Sequence, residues 1–327
     1  MTTPATVPVS LLLEHPELRS VLSVVAGAVG LSRRIAHTRV QKSGLAFAGH
    51  VRGVDPRRVQ VIGETETTFL ESLDPATRVK NLHAYFALGP SCTMVTRGVA
   101  PLPDLVKAAA ETDSPLIVSN AKSSETIHAL HAALDRDLAD TMNIHGVVVE
   151  VHGLGVLLLG PSGIGKSECA LFLVERGHRL VADDAVILTR LPGQQVVGSP
   201  SPLLRQHLEI RGLGILNIRD LYGATATRVE APIDLVIELC PWRDDENYER
   251  LGIDDATYRL MGCDIPMLKV PIRPGREMAT ILEVAARNQL LKRAGHHSAR
   301  AFAARLEAAL GIPEDTVELS KPPKAIT

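Results

Sequence analysis

The chain has 327 residues, of which 45% are hydrophobic and 22% charged, and its formal net charge is −2. This length favours two domains, while the near-zero net charge argues against a protein that binds nucleic acid or an anionic membrane over a broad surface. Aromatic residues make up only 3%, which also argues against a stacking platform for single-stranded nucleic acid. We therefore expect neither a nucleic-acid partner nor a membrane partner.

The N-terminal residues and the cysteines predict a soluble, cytoplasmic protein. Residues 1–6 carry no basic segment of the kind that begins a signal peptide, and no apolar run approaches the roughly 18 residues that span a bilayer. The cysteines are far apart and form no C-x-x-C pair, so buried, reduced thiols are expected rather than disulfides or a zinc site. They are Cys92, Cys169, Cys240 and Cys263.

The first part of the chain alternates strand and helix patterns, which is typical of an α/β domain. Strands are predicted over 59–63, 92–96 and 115–119, and helices over 65–73, 103–111 and 124–134. We assign residues 1–134 to this domain and find no catalytic group in it. His128 and His131 lie one helical turn apart, but a solvated helix face is favoured over a metal site because no third ligand accompanies them.

The second domain, residues 135–327, is predicted to open with a β-hairpin. Apolar strands over 146–151 and 155–159 flank a short turn that contains glycine. If Val151 pairs with Gly155, the antiparallel register places His145 opposite Pro161. The hairpin would then bring an imidazole to the glycine-rich loop that follows it.

That loop matches the pattern G-x-x-x-x-G-K-[ST] without a mismatch and lies between an apolar strand and a helix pattern. Its residues are Gly160, Pro161, Ser162, Gly163, Ile164, Gly165, Lys166 and Ser167. The glycines let backbone amides surround phosphate oxygens, and the helix N-terminus adds positive charge. Lys166 is expected to reach the β- and γ-phosphates and Ser167 to hold Mg²⁺, so the chain is predicted to bind a nucleoside triphosphate.

Two adjacent carboxylates, Asp183 and Asp184, interrupt an apolar strand predicted over 180–188. Neighbouring residues of a strand point to opposite faces, so the two carboxylates are expected to do different things. One is a candidate Mg²⁺ ligand and the other a candidate proton acceptor. Two solvated residues at a strand end are the weaker alternative, because apolar residues surround the pair.

Two later segments also combine charge with glycine. Residues 208–217 read as a strand and a turn that carry Glu209 and Arg211. Residues 271–276 place Arg273 and Arg276 around Pro-Gly, between a strand and a helix predicted over 277–293. Such a loop suits an anion, and a basic start to the helix is the equally acceptable alternative.

In combination these segments resemble the bacterial HPr kinase/phosphorylase family. The segments that carry the resemblance are 145–147, the loop 160–167 with Glu168, 182–184, 208–217, 248–252 and 271–276, together with 43–49 in the first domain. The resemblance implies a bifunctional enzyme. It phosphorylates a serine of the phosphocarrier protein HPr with Mg²⁺-ATP, and it removes that phosphoryl group with inorganic phosphate, giving pyrophosphate. Such an enzyme regulates carbon metabolism through the sugar phosphotransferase system.

The resemblance also implies roles for particular residues. Asp184 matches the group that takes the serine proton in phosphorylation and returns a proton in dephosphorylation. Lys166 and Ser167 match the nucleotide and Mg²⁺ positions, with Glu209 as a second Mg²⁺-linked carboxylate beside Asp183. His145 and Arg250 match further active-site positions.

The resemblance also implies that two whole segments take part in the reactions. One, implicated in both reactions, consists of Leu208, Glu209, Ile210, Arg211, Gly212, Leu213, Gly214, Ile215, Leu216 and Asn217. The other, implicated particularly in dephosphorylation, consists of Pro271, Ile272, Arg273, Pro274, Gly275 and Arg276.

For the fold, the resemblance implies an N-terminal α/β domain similar to that of murein ligases, a catalytic P-loop domain similar to the core of phosphoenolpyruvate carboxykinase, and a hexamer. Pro161 departs from the family, which usually has Asp there, and so does the Ala- and Arg-rich helix predicted over 280–310. The alternative functions are a P-loop kinase for a small metabolite and a nucleotide-sensing module. The segments 208–217 and 271–276 argue against the first, and the retained acidic residues with Arg250 argue against the second.

Overall fold

The computed structural model of the chain describes residues 5–244, 255–273 and 275–310. They divide into two compact units, unit 1 up to Asp140 and unit 2 from Thr141 onward. The predicted boundary after residue 134 falls inside the helix Ser123–Asp137, and the chain divides only after that helix has ended. No helix in the described part of the chain is long and apolar enough to cross a membrane.

Unit 1 is built on a mainly parallel sheet with the strand order β2-β7-β6-β5-β4. Its strands are β1 (Val7–Pro8), β2 (Leu22–Ala26), β3 (Arg34–Ile35), β4 (Gln41–Lys42), β5 (Val59–Ile62), β6 (Cys92–Val95) and β7 (Leu116–Ser119). Its helices are α1 (Ser10–Glu14), α2 (Gly44–Phe47), α3 (Glu64–Ser72), α4 (Pro75–Phe86), α5 (Pro103–Glu111) and α6 (Ser123–Asp137), with a 3₁₀ turn over Ala28–Ser32. The predicted α/β alternation of this region is therefore confirmed.

Local sequence signals explain where helix α4 begins. Asp74 accepts a hydrogen bond from the Thr77 amide at the start of α4, and Pro75 occupies the first helical position, where no amide hydrogen is needed. The predicted solvated helix face holds for His128, which is exposed, whereas His131 is half-buried and its Nε2 accepts a 3.2 Å hydrogen bond from the Val40 amide. This imidazole helps to hold α6 against the chain before β4.

Unit 2 contains a six-stranded mixed sheet, β11-β9-β10-β17-β19-β18, a four-stranded antiparallel sheet, β16-β13-β12-β8, and the hairpin β14-β15. The strands are β8 (Thr141–His145), β9 (Val147–Val151), β10 (Leu154–Leu159), β11 (Arg179–Ala182), β12 (Ala185–Leu191), β13 (Gln195–Pro200), β14 (His207–Ile210), β15 (Gly214–Asn217), β16 (Ala231–Pro232), β17 (Leu235–Pro241), β18 (Thr257–Leu260) and β19 (Cys263–Ile272). The helices are α7 (Lys166–Glu175), α8 (Ile218–Tyr222), α9 (Met278–Arg293) and α10 (Ser298–Leu310), with 3₁₀ turns over Pro202–Leu204 and Ala224–Ala226.

The six-stranded sheet is covered on both faces. Val147, Val149 and Val151 of β9 point to one face and belong to a core with residues of α7 and α9. Val148 of the same strand points the other way, into a second core shared with β12 and β13. This two-sided burial explains why β9 and β10 read as continuous apolar runs rather than as alternating patterns.

The predicted hairpin forms, but its register differs from the prediction by one residue. Val151 pairs with Leu154 rather than with Gly155, because the turn contains only His152 and Gly153. Both have positive φ, 53° and 83°, as a two-residue type I′ turn requires. The predicted pairing of His145 with Pro161 is consequently wrong, and His145 pairs with Ala185 in the other sheet.

The predicted strand 180–188 is also divided. β11 belongs to the six-stranded sheet and β12 to the four-stranded sheet, and Asp183 and Asp184 lie between them. Beside this break, Gly146 joins β8 to β9, so a second segment changes sheets at the same place. The Gly146 amide donates a 3.1 Å hydrogen bond to the Asp184 carbonyl. This hydrogen bond connects the two places where the chain passes from one sheet to the other.

The single helix predicted over 280–310 is two helices. α9 stops near Gly295, which has a φ of +87°, and the His296 amide donates to the Leu291 carbonyl at 2.8 Å. This is the hydrogen-bond pattern of a glycine C-cap, in which a left-handed residue ends the helix. α10 then begins at Ser298.

Candidate active site

A cavity of about 120 Å³ collects residues from four of the predicted segments. It is lined by His145, Val147, Ser162, Gly163, Gly165, Lys166, Ser167, Glu168, Asp183, Asp184, Glu209 and Arg211. Whole-ligand pockets are usually several hundred Å³, so this space suits phosphate groups and an ion rather than a complete nucleotide.

The glycine-rich loop joins β10 to α7, as predicted, and its backbone needs glycine. Gly160 has a φ of +143°, and a Cβ atom there would lie 2.4 Å from the Leu239 carbonyl oxygen of the neighbouring strand. Gly163 and Gly165 also have positive φ. Because α7 begins at Lys166, the unpaired amides of its first turn belong to the same cavity.

Lys166 is largely buried under this loop, with 8% of its surface exposed. Its Nζ donates hydrogen bonds to the carbonyl oxygens of Gly160 at 2.9 Å and Pro161 at 3.0 Å. The ammonium group is thus held at the centre of the loop, where phosphate oxygens are stronger acceptors than these neutral carbonyls.

Asp183 connects the phosphate loop to the hairpin β14-β15. Its Oδ1 accepts a 2.9 Å hydrogen bond from the Ser167 hydroxyl, and its Oδ2 accepts a 3.0 Å hydrogen bond from the Glu209 amide. The side chain is buried, and this burial raises its pKa above the usual range, while the two hydrogen bonds oppose the rise. A serine hydroxyl and a carboxylate in contact beside a phosphate loop are the ligand pair that holds Mg²⁺ in P-loop enzymes.

The neighbouring carboxylate, Asp184, contacts His145. The distance from His145 Nε2 to Asp184 Oδ1 is 3.0 Å, and both side chains are more than half exposed. Asp184 has a φ of +67°, a conformation that non-glycine residues seldom adopt and that is found most often at functional sites. The two carboxylates therefore differ in burial and in partners, as two different chemical roles require.

The segment 208–217, which the resemblance implicates in both reactions, lies in the hairpin β14-β15. Leu208 and Ile210 point into the core of unit 2, while Glu209 between them is exposed and lines the cavity. The guanidinium of Arg211 lies against the phosphate loop. It is so close to Gly163 that a Cβ atom on that residue would be only 2.8 Å from Arg211 Nη1. The buried side chains of Leu208 and Ile210 thus anchor the hairpin, so that the Glu209 carboxylate and the Arg211 guanidinium line the cavity.

The two arginines of the predicted anion loop do not line this cavity. Arg273 lies over the Trp242 ring, 5.5 Å from its centroid, and Arg276 donates a 3.2 Å hydrogen bond to the Pro271 carbonyl. Arg276 does line an adjoining cavity of about 570 Å³, which shares Gly165 and Glu168 with the first. The loop therefore neighbours the phosphate site without contributing to it in this arrangement.

Two protein-family models together match most of the chain. The model of the HPr serine kinase N terminus matches residues 7–134, and that of the HPr serine kinase C-terminal domain matches residues 136–306. The HPr kinase/phosphorylase of Geobacter sulfurreducens is 44% identical over 92% of this chain and 94% of its own length. The chain belongs to the HPr kinase/phosphorylase family. The family protein of Leptospira biflexa (strain Patoc 1 / Ames) is 40% identical over 91% of this chain and 92% of its own length.

A solved structure of the family is also similar in sequence. The Hpr(Ser) kinase/phosphatase of Coxiella burnetii is 31% identical, matches 49% of this chain and 98% of its own, and superposes with a TM-score of 0.45.

Two predicted site residues cannot be placed, and one residue that lines the site was not predicted. Arg250 and Pro274 lie outside the residues that the structure describes. Glu168, for which the sequence predicted no role, lines both cavities. The available signal was its place in the first turn of α7, directly after the phosphate loop.

Proposed function

We propose that this chain acts as an HPr kinase/phosphorylase, using Mg²⁺-ATP to phosphorylate a serine of HPr and inorganic phosphate to remove that group as pyrophosphate. One observation carries the proposal for the site. A phosphate loop with Lys166, a buried Ser167–Asp183 pair and a separate, exposed Asp184–His145 pair open into a single cavity.

Lys166, Ser167, Asp183 and Glu209 handle the phosphates and the ion. Lys166 neutralises charge on the β- and γ-phosphates, while Ser167 and Asp183 hold Mg²⁺. Glu209 lies next to Asp183 through its own amide and adds a second carboxylate linked to the ion. Oxygen ligands of this kind are those that Mg²⁺ prefers.

Asp184 handles the proton. In the kinase direction it accepts the proton of the substrate serine, the serine Oγ attacks the γ-phosphorus, and the bond to the bridging oxygen breaks, releasing ADP. In the other direction an oxygen of inorganic phosphate attacks the phosphoserine phosphorus. The bond to Oγ then breaks, Asp184 returns a proton to that oxygen, and pyrophosphate forms.

The exposure of the Asp184 and His145 side chains supports a protein substrate. The side chain of Asp184 is 53% exposed and that of His145 63% exposed, so a serine on another protein can reach the pair. His145, 3.0 Å from Asp184 Oδ1, orients the carboxylate and stabilises its charge. Arg250 and the loop residues Arg273 and Arg276 complete the proposed set.

Several finer features belong to the same proposal. They are a closed hexamer, a first domain similar to that of murein ligases and a catalytic core similar to phosphoenolpyruvate carboxykinase. A cytoplasmic location fits the need for ATP and the burial of all four cysteines.

The direct test is incubation of the chain with HPr and Mg²⁺-ATP, followed by mass analysis for phosphoserine. Adding the chain and inorganic phosphate to the purified phosphoseryl-HPr should then yield pyrophosphate and unmodified HPr. An HPr variant with Ala at the target serine is the control for specificity. Binding of Mg²⁺-ATP without phosphoserine on HPr would overturn the proposal.

A further inference from the structure

At the end of α7 remote from the phosphate loop, three side chains with metal-binding atoms converge. His152 lies in the turn between β9 and β10, His178 lies between α7 and β11, and Glu283 lies on α9. Their candidate ligand atoms all lie within 4.8 Å of one another. The proposed reaction uses none of these residues.

We propose that His152, His178 and Glu283 form a binding site for a zinc-class transition-metal ion, distinct from the Mg²⁺ position. Two imidazoles and a carboxylate are an established ligand set for Zn²⁺, with water in the fourth position. Tetrahedral bonds of about 2.0–2.2 Å place ligand atoms roughly 3.3 Å apart. The cluster therefore needs only a small rearrangement to close around an ion: the longer separations, up to 4.8 Å, must shorten, and the 2.8 Å contact between His178 and Glu283 must lengthen.

The exposure of His152 suits such a rearrangement. His178 is buried, with 7% of its side chain exposed, and Glu283 is 13% exposed. Glu283 Oε1 already lies 2.8 Å from His178 Nε2, and the two imidazole rings are edge to face with centroids 4.7 Å apart. His152 is exposed in a turn, so it can rotate toward the fixed pair.

A cation already contacts one of these ligand atoms. Arg287 Nε donates a 3.0 Å hydrogen bond to His152 Nε2, so this nitrogen presents a lone pair, as metal ligation requires. Burial, followed by the nearby His178 and Arg287, lowers the pKa of His152 and favours the neutral imidazole. Arg287 is exposed, and an incoming ion displaces it into solvent.

Arg176 has a different relation to the cluster. It lies 3.2 Å from Glu283 Oε2 and 2.7 Å from Glu277, and its hydrogen bond is the largest cause of the lowered pKa of Glu283. It thus keeps Glu283 ionised and oriented while leaving Oε1 toward the histidines. Outer partners of this kind commonly fix carboxylate ligands.

The site links the β9–β10 turn, the segment after α7, and α9. An ion bound to the folded cluster stabilises the protein, since the unfolded chain does not hold these distant residues together. Spacing along the sequence gives no sign of the site, because the three residues come from three separated elements.

The experiment uses full-length protein without a histidine tag, stripped of metal and free of nucleotide. Zn²⁺ binding is measured by calorimetry, and thermal denaturation is followed with and without Zn²⁺. Wild type should bind one ion and gain thermal stability, while His152→Ala should lose both effects. Arg287→Ala should bind about tenfold more tightly, because a charged hydrogen bond no longer competes.

Two variants outside the cluster serve as controls for Zn²⁺ binding at other places in the protein. His131→Ala alters a histidine of unit 1, and Asp183→Asn alters the Mg²⁺ position; neither should change Zn²⁺ binding by the cluster. His152 is exposed, so its replacement is expected to leave the fold intact, which circular dichroism verifies. Absence of Zn²⁺ binding in both wild type and Arg287→Ala, or equal binding in His152→Ala and wild type, would overturn the proposal.

Discussion

The Ser167 hydroxyl donates a 2.9 Å hydrogen bond to Asp183 and joins the phosphate loop to the break between β11 and β12. Asp183 is buried, and its pKa is raised chiefly by that burial. A raised folded-state pKa means that the stabilising contribution of this group is present below its unfolded value of 3.8 and is lost as pH rises through the folded value. Near neutrality, the ionised carboxylate therefore costs stability until a cation compensates it.

This relationship leads to a prediction about Mg²⁺. The increase in melting temperature caused by Mg²⁺ with ADP should be larger near neutral pH than at a pH below the folded pKa of Asp183. Asp183→Asn should lose most of that increase, because the amide carries no charge for the ion to neutralise. Thermal denaturation across a pH series tests this, with Asp264→Asn on β19 as an exposed control. A full Mg²⁺ effect in Asp183→Asn would contradict the assignment.

A second prediction separates two routes to an inactive enzyme. Lys166→Ala should weaken nucleotide binding because the phosphates lose their buried cation. Asp184→Asn should slow phosphoryl transfer by a factor of about 10²–10⁴, the usual contribution of a general base, while still binding Mg²⁺-ATP. Calorimetry with a non-hydrolysable nucleotide and phosphoserine assays distinguish the two. Turnover of Asp184→Asn at the wild-type rate would remove it from the proton-accepting role.

Local chemistry made part of this site predictable. The phosphate loop follows from eight consecutive residues, and Gly160 shows why, since its φ and its approach to Leu239 exclude a side chain. Asp183 and Asp184 do differ in burial and in partners, as predicted, but not through the alternation of a strand, because both lie in the break between β11 and β12 and Asp184 has a positive φ. The predicted helix over 103–111 was found at the same bounds because Pro103 marks its first turn.

Other features depended on long-range pairing that no local pattern reveals. Residues 180–182 and 185–188 are equally apolar, so the sequence gives no sign that they join different sheets. His145 was correctly expected beside the phosphate loop, but for the wrong reason, because it arrives by pairing with Ala185. The register error came from reading Leu154 as part of the turn, although it begins β10.

A third prediction concerns the loop backbone. Gly160→Ala should reduce stability by about 1–3 kcal/mol through overpacking against Leu239 and should also weaken nucleotide binding. Gly155→Ala is the matched control, since its Cβ would lie 1.8 Å from the Pro232 carbonyl oxygen, away from the loop residues. Denaturant unfolding and nucleotide titration should show destabilisation in both variants but weakened binding only in Gly160→Ala. Unchanged nucleotide affinity in Gly160→Ala would indicate that the loop adapts.

A fourth prediction concerns assembly. The family resemblance implies a closed hexamer, and unit 2 exposes large apolar side chains that contacts between subunits would cover, among them Phe172, Leu213 and Ile215. Light scattering at micromolar concentration should give about six times the monomer mass. A monomer under those conditions would rule the hexamer out.

The last prediction distinguishes the two activities. Phosphorolysis brings inorganic phosphate beside phosphoserine, and two unit charges 4 Å apart repel by roughly 4 kcal/mol at an effective dielectric constant near 20. Cations must offset this repulsion, and Arg276 lines the cavity that adjoins the phosphate site through Gly165 and Glu168. Arg273 lies on the same loop, stacked on Trp242, and can be released because a cation–π contact at an exposed position contributes only about 0.5–1 kcal/mol.

Arg273→Ala and Arg276→Ala should therefore reduce phosphorolysis much more than ATP-dependent phosphorylation, in which the transferring phosphoryl group is held by Lys166 and Mg²⁺. Both rates are measured on one preparation of each variant, with HPr and phosphoseryl-HPr as substrates. Arg259→Ala, which removes an exposed arginine paired with Asp264 on β18 and β19, is the control and should leave both rates unchanged. Equal losses in the two directions would show that the loop serves folding or HPr binding, because only a group that separates two anions acts selectively on the reaction that contains both.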